Sequence, residues 1–173
     1  MMKLLPLLLT LLESVLLSQA YIFQKCSSQS AVSDSKVVQT INGAVKGECY
    51  NVPVSYSNSS TSNYDVFTWL SIPFAESPTG SNRFMKPKPV KSWNKTLDAL
   101  SWPKTCVQDG IQINPGYFSE DCLYLNIFVR NDTYFSRNAS LAPIMLWIYG
   151  GGFTVGSSAQ GSIFFKYISN KLL

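Results

Sequence analysis

Three consecutive glycines, Gly150-Gly151-Gly152, follow directly on an unbroken apolar run from Pro143 to Tyr149. Glycine reaches backbone conformations closed to other residues and lets a reacting group come close to the main chain. The N–H groups of such a loop can converge on an oxyanion, the charge carried by the tetrahedral intermediate of acyl transfer. Each positioned donor there is worth about 3–4 kcal/mol in the transition state. A flexible turn with no ligand accounts for three glycines equally well. A phosphate cradle does not fit, because neither GxGxxG nor GxxxxGK[ST] is present.

The rest of an acyl-transfer machine is missing from these residues. The sequence has no histidine, and histidine is the commonest general base near neutral pH. Neither a Ser-His-Asp/Glu nor a Cys-His arrangement can be assembled from this chain alone. A G-x-S-x-G pentapeptide is also absent, since Gly156-Ser157-Ser158-Ala159-Gln160 fails at its last position.

The elements that must position the glycines read mainly as strands. Val37 to Ile41 and Ala44 to Tyr50 flank Asn42-Gly43, a type I′ hairpin signal. Residues 24–36 form a loose polar arm, and SYSNSSTSNY (55–64) a polar loop. Val66 to Ile72, β-branched and aromatic, is a third strand. Residues 73–103 hold five of the nine prolines and predict an extended surface wrap rather than a helix. From Asp121 to Arg130, Leu123, Leu125, Ile127 and Val129 alternate with polar or aromatic residues, which predicts a strand with one apolar face. The run from Pro143 to Tyr149 predicts a strand buried on both faces. No internal repeat is visible.

Composition narrows the class. With 46% apolar and 14% charged residues, the 173-residue chain can bury a core and is not disordered overall. The net charge of +4 is not concentrated. Lys86, Lys88, Lys91 and Lys95 lie among prolines as a solvated loop, and no nucleic-acid partner is expected.

Residues 1–20 read as a cleaved signal peptide: Lys3, a leucine-rich stretch from Leu4 to Leu17, then Ser18-Gln19-Ala20. Glu13 divides the apolar stretch and leaves it short for a membrane span. Secretion fits the sequons at Asn58, Asn94, Asn131 and Asn138. It also fits an even set of cysteines, Cys26, Cys49, Cys106 and Cys122, for which three pairings are open. Without a CxxC or Cys/His cluster, no metal is expected.

Several motifs in order carry a family likeness. Glu120-Asp121-Cys122-Leu123-Tyr124-Leu125-Asn126 resembles the EDCLYLN signature of type-B carboxylesterases and cholinesterases. Trp147-Ile148-Tyr149-Gly150-Gly151-Gly152-Phe153, followed by Gly156-Ser157-Ser158, resembles that family's oxyanion-hole segment. Upstream, Ile72-Pro73-Phe74-Ala75, Pro78, Gly80, Arg83-Phe84, Pro87, Pro89 and Trp93 resemble its IPYA…PPxGxxRFxxPxP…W stretch. Gln39-Thr40 with Gly43, Val45 and Gly47 is similar to its opening hairpin. The likeness runs from about Val37 to Ser158 and fades beyond.

The resemblance implies an α/β-hydrolase fold, with residues 37–173 supplying the N-terminal strands of an incomplete sheet. It implies that the Gly151 and Gly152 N–H groups line the oxyanion hole, that Gly150 permits the turn, and that Phe153 and Tyr149 meet the substrate. Cys106 and Cys122 match the cysteines of a family disulfide, which leaves Cys26 and Cys49 to pair by default. Tyr149 stands where many carboxylesterases have histidine and cholinesterases have tyrosine. The Cys106–Cys122 segment has no tryptophan, only Tyr117 and Phe118, which disfavours a choline substrate.

The expectation is a truncated copy of a secreted serine carboxylic-ester hydrolase that needs no cofactor. It keeps the oxyanion loop but lacks nucleophile, acid and histidine. The alternatives are a non-catalytic, cholinesterase-like adhesion module that binds a protein partner, and a small independent domain with another role.

Overall fold

The computed structural model describes residues 24–26, 35–55, 61–108, 118–131 and 143–158. The expected signal stretch at 1–20, the sequons at Asn58 and Asn138, and Tyr117 lie outside the described residues. Eight strands are present: β1 (Gln24–Lys25), β2 (Ser35–Gln39), β3 (Ala44–Ser55), β4 (Thr61–Pro73), β5 (Leu97–Asp98), β6 (Thr105–Cys106), β7 (Phe118–Ser119) and β8 (Tyr124–Arg130). Six form one sheet along the path β1-β3-β4-β8, with β2 and β5 also on β3, and β6 pairs with β7 in a separate parallel ribbon. All the pairings of the larger sheet are antiparallel except β3 with β5.

The long β3–β4 hairpin is the spine, in register from Glu48↔Thr68 to Ser55↔Thr61. It reaches further than the sequence predicts. Residues 61–64, expected in the polar loop, continue the ladder, because main-chain pairing asks little of the side chains. Asn51 Nδ2 adds a cross-strand hydrogen bond to Asp65 Oδ1 at 2.9 Å. On β3 the buried positions Val45, Gly47 and Cys49 alternate as a strand requires. They meet Phe67, Trp69 and Ile72 of β4, together with Cys26 and Ala99, and Val38, Trp93, Leu97 and Val129 pack around this cluster.

Two disulfides join distant parts of the chain, the first of them within this core. Cys26 is bonded to Cys49 with Cα atoms 5.5 Å apart, and Cys106 to Cys122 with Cα atoms 5.1 Å apart. With sequence separations of 23 and 16, each removes about 3 kcal/mol of loop entropy from the unfolded chain in the chain-entropy model. The first also corrects the expectation of a loose arm over 24–36. β1 pairs with β3, Cys26 is buried, and Ser35 and Lys36 belong to β2.

The first hairpin turn differs in type from the expectation. The register Gln39↔Ala44 places Ile41 and Asn42 at its centre. Neither has positive φ; Gly43 does, at 145°. A type I′ turn needs positive φ at both central residues. Here the Thr40 Oγ1 takes over part of the closure, accepting from the N–H of Asn42 and of Gly43 at 3.2 Å and donating to the Gly43 carbonyl at 2.7 Å.

Residues 74–96 form the surface wrap that the prolines predict, with a short 3-10 turn at Gly80–Asn82 and an isolated bridge between Ala75 and Pro89. The wrap does not run on to 103 as expected, because β5 pairs with β3 and Ala99 is buried in the core. Arg83 Nε, 2.6 Å from Glu120 Oε1, ties the wrap to the segment before β8. The sequon residue Asn94 is exposed there. The other described sequon residue, Asn131, is half-buried, with its Oδ1 enclosed and unpartnered among the described residues.

The apolar runs nearest the glycines are uncovered, against expectation. On β8, Leu125 and Ile127 keep 37% and 43% of their surface exposed, while Val129 alone of that face packs against the core. The run 143–149 is neither strand nor buried, and Ile144 is 95% exposed and Ile148 77%. A strand apolar on both faces is stable only with pairing partners at its edges and layers above and below. No described residue supplies them.

Candidate functional site

The glycine loop is a compact turn whose far end is held by three separate side chains. Gly151, Gly152 and Phe153 take positive φ values of 145°, 62° and 62°, and Gly156 takes 130°. The Gly151 carbonyl accepts from the N–H groups of Thr154 and Val155, both at 3.1 Å, and from Thr154 Oγ1 at 3.2 Å. A Cβ at Gly151 would run into the Val155 carbonyl oxygen, so the turn closes only around glycine. Among the described residues, the N–H groups of Gly151 and Gly152 have no acceptor. That leaves two adjacent donors on an exposed turn.

Sequence reasoning missed the residues that anchor this turn. Gln108, two places after Cys106, receives the Gly156 N–H on its Oε1 at 2.7 Å. Its Nε2 donates to the Gly156 carbonyl at 2.9 Å and to the Cys106 carbonyl at 3.0 Å. Thr105 Oγ1 donates to Ser157 Oγ at 2.9 Å. Asn126 Nδ2 donates to the Ser158 carbonyl at 3.0 Å, while its Oδ1 accepts from the Ser71 N–H at 3.0 Å. Ser71 sits at the irregularity of the β4–β8 ladder, between Trp69 and Ile72, with φ of 59°. The bulge turns its N–H away from the ladder and toward Asn126. An amide on the polar face of β8 is the only advance sign of this; Gln108 has none in periodicity or motif spacing.

Of the expected substrate-facing side chains, Tyr149 precedes the turn and Phe153 sits at its middle. The Tyr149 ring packs under Gly156, where a Cβ would come within 2.5 Å of it. Phe153 is fully exposed and is not among the residues packed against the core cluster. Cys106 and Cys122 close the loop that carries Gln108. Close by, Tyr124 has its phenol pushed up to about 12, first by burial and then by its hydrogen bond to Asp121. It therefore stays protonated near neutral pH and cannot act as a general base there. The arrangement can donate hydrogen bonds to a developing negative charge.

Comparison with known proteins gives a consistent picture. Residues 34–172 match the model of the Carboxylesterase family. The chain is 35% identical to Carboxylesterase 1D of Rattus norvegicus over 147 residues, covering 78% of this chain and 24% of that protein. It is 37% identical to Acetylcholinesterase of Bungarus fasciatus over 150 residues, covering 79% and 22%. It is 38% identical to Carboxylesterase 1F of Mus musculus over 141 residues, covering 74% and 23%. The matched region thus spans about a quarter of each relative's length.

Proposed function

Because the chain belongs to the carboxylesterase family, we propose that its glycine loop is the oxyanion-binding element of a serine carboxylic-ester hydrolase. The observation that carries this reading is the pair of N–H donors, Gly151 and Gly152, without acceptors among the described residues, on a turn pinned from one end by Gln108, Thr105 and Asn126. The described sheet is then the N-terminal part of an α/β-hydrolase sheet. When a serine oxygen attacks the ester carbonyl, the C=O π electrons move onto oxygen, and the two N–H groups stabilise that alkoxide. Tyr149 and Phe153 border the acyl side. The sequence contains no histidine, so in this reading a histidine base is supplied from outside these residues. Export behind the 1–20 leader, with glycans at Asn58, Asn94, Asn131 and Asn138, belongs to the same reading.

A loop graft tests it. Residues 147–158 replace the matched loop of an active relative such as the rat carboxylesterase, and p-nitrophenyl acetate hydrolysis is measured. The graft should keep kcat within about tenfold of the parent, because the donors are main-chain groups in the same turn. A folded graft that binds substrate but has lost turnover altogether would contradict the proposal. The chain by itself should not exceed the background of generic protein. Saturable turnover by the chain alone, abolished by a serine-directed organophosphate, would overturn the assignment of roles.

A further inference from the structure

We propose that Gln108 is the positioning residue of the glycine loop, its carboxamide reading the backbone of Gly156 and thereby fixing the turn that presents the Gly151 and Gly152 N–H groups. The role rests on the oxyanion-binding reading of that turn.

The geometry selects a carboxamide and no other end group. Gly156 offers its N–H and its carbonyl to one side chain, at 2.7 Å to Oε1 and 2.9 Å from Nε2. Near neutral pH, asparagine and glutamine carry a donor and an acceptor on neighbouring atoms, whereas an ionised carboxylate has acceptors alone and an ammonium donors alone. The second hydrogen on Nε2 goes to the Cys106 carbonyl at 3.0 Å. Three contacts therefore fix which way the amide faces, and both of its hydrogens are used. The Cys106–Cys122 bridge, two residues back, holds the base of the side chain. Gly156 is buried, and the Tyr149 ring closes its other side.

Gly156 is also the point where force on the turn must be taken up. Residues 151–155 close on themselves through the Gly151 carbonyl. Upstream, 143–150 is exposed and outside any strand. The buried part of the turn is its downstream end, at Gly156. Thr105 and Asn126 each make a bond there, to Ser157 and Ser158. Among the described residues, Gln108 is the side chain that holds both main-chain groups of Gly156, which adjoins the closed turn.

The test uses the full chain, oxidised and labelled with nitrogen-15, in wild-type, Q108A, Q108E and T105V forms. Amide exchange and amide shifts are read at Gly151, Gly152 and Gly156, with the β3–β4 ladder as internal control. Q108A should raise exchange at Gly156 tenfold or more and move the Gly151 and Gly152 signals, while ladder protection changes less than twofold. T105V should leave the Gly151 and Gly152 signals in place. In Q108E, the ionised carboxylate opposes the Gly156 carbonyl, and the protonated acid restores a donor. The loop signals should therefore gain a titration near the ordinary glutamate value of about 4.3, returning toward wild-type positions as pH falls. Wild type should show no such added step.

Unmoved Gly151 and Gly152 signals in Q108A with an intact ladder would overturn the proposal. If Q108A melts the ladder, the Q108E titration decides: an added step supports the role, and its absence refutes it. Neither readout depends on ester hydrolysis. A failed graft and a failed Gln108 test are therefore separate outcomes.

Discussion

Alanine at position 151 should lower kcat of the loop-grafted esterase by about 10²–10³, equivalent to about 3–4 kcal/mol of transition-state stabilisation. Two features make this position severe. Its φ of 145° lies where a Cβ is strained, and that Cβ would collide with the Val155 carbonyl oxygen. The collision opens the turn that Gly151 itself closes through its carbonyl. The neighbouring Gly152 N–H is then displaced together with that of Gly151. The loss should fall on kcat and spare KM, because the donors meet charge that develops only in the transition state. Gly150 is the control. Its φ is not positive, and a Cβ there meets nothing within 4 Å. Gly150→Ala should therefore cost less than about tenfold; the loop's own donors stay in place. Steady-state kinetics on both variants decides the matter. Equal losses at 150 and 151 would show that glycine is needed throughout for some reason other than turn closure.

Phe67→Ala should destabilise the chain by about 3–5 kcal/mol, the range for emptying a buried aromatic site. Phe67 has no exposed surface, its ring lies 6.0 Å from that of Trp69, and the Cys26–Cys49 bridge packs in the same cluster. The surrounding strands are held by the central hairpin and one disulfide, so they have little freedom to collapse into the void. In a chain at the low end of the typical range, about 5 kcal/mol, such a loss leaves a substantial unfolded fraction. Ile144→Ala removes a similar apolar volume at a 95% exposed position and should stay within about 0.5 kcal/mol. Denaturant melts of the two variants, with unchanged m-values, give the comparison. A small loss at Phe67 or a large one at Ile144 would mean that the stabilising core lies elsewhere.

What the sequence revealed depended on how local the determining physics is. The strands around Val38, Val45, Phe67 and Ile127 follow from alternation and β-branching, and all are present. The proline-rich wrap follows from lost N–H donors. Both disulfides were reached through the family likeness and the pairing it left over; spacing alone left three pairings open. The extension of β4 into Thr61–Tyr64 was hidden, because a paired backbone can carry polar side chains wherever a neighbouring strand runs alongside. The hairpin turn was misread by one residue, since Thr40 supplies a side-chain acceptor that a dipeptide rule does not consider. Burial of 143–149 was an inference about covering elements, which an apolar run requires but cannot identify. In the candidate site, the glycines announced themselves by type. Gln108 and Asn126 did not, because a side-chain amide that pairs with a distant main chain leaves no period in the sequence.

The uneven cover over the chain has an optical consequence. The four tryptophans are Trp69, Trp93, Trp102 and Trp147. Trp69 keeps 3% of its surface exposed and Trp147 52%. Trp69 sits among apolar neighbours and gives its indole N–H to the Lys36 carbonyl at 3.2 Å. An indole in that setting emits toward the blue and is shielded from a dissolved quencher such as iodide, whereas one in water emits toward the red and is quenched. Trp147 lies three residues before Gly150. With Trp102, itself 38% exposed, replaced by phenylalanine, the red, quenchable emission reports whether the run leading into the glycines is wet or covered, and the blue band serves as a reference within the same molecule.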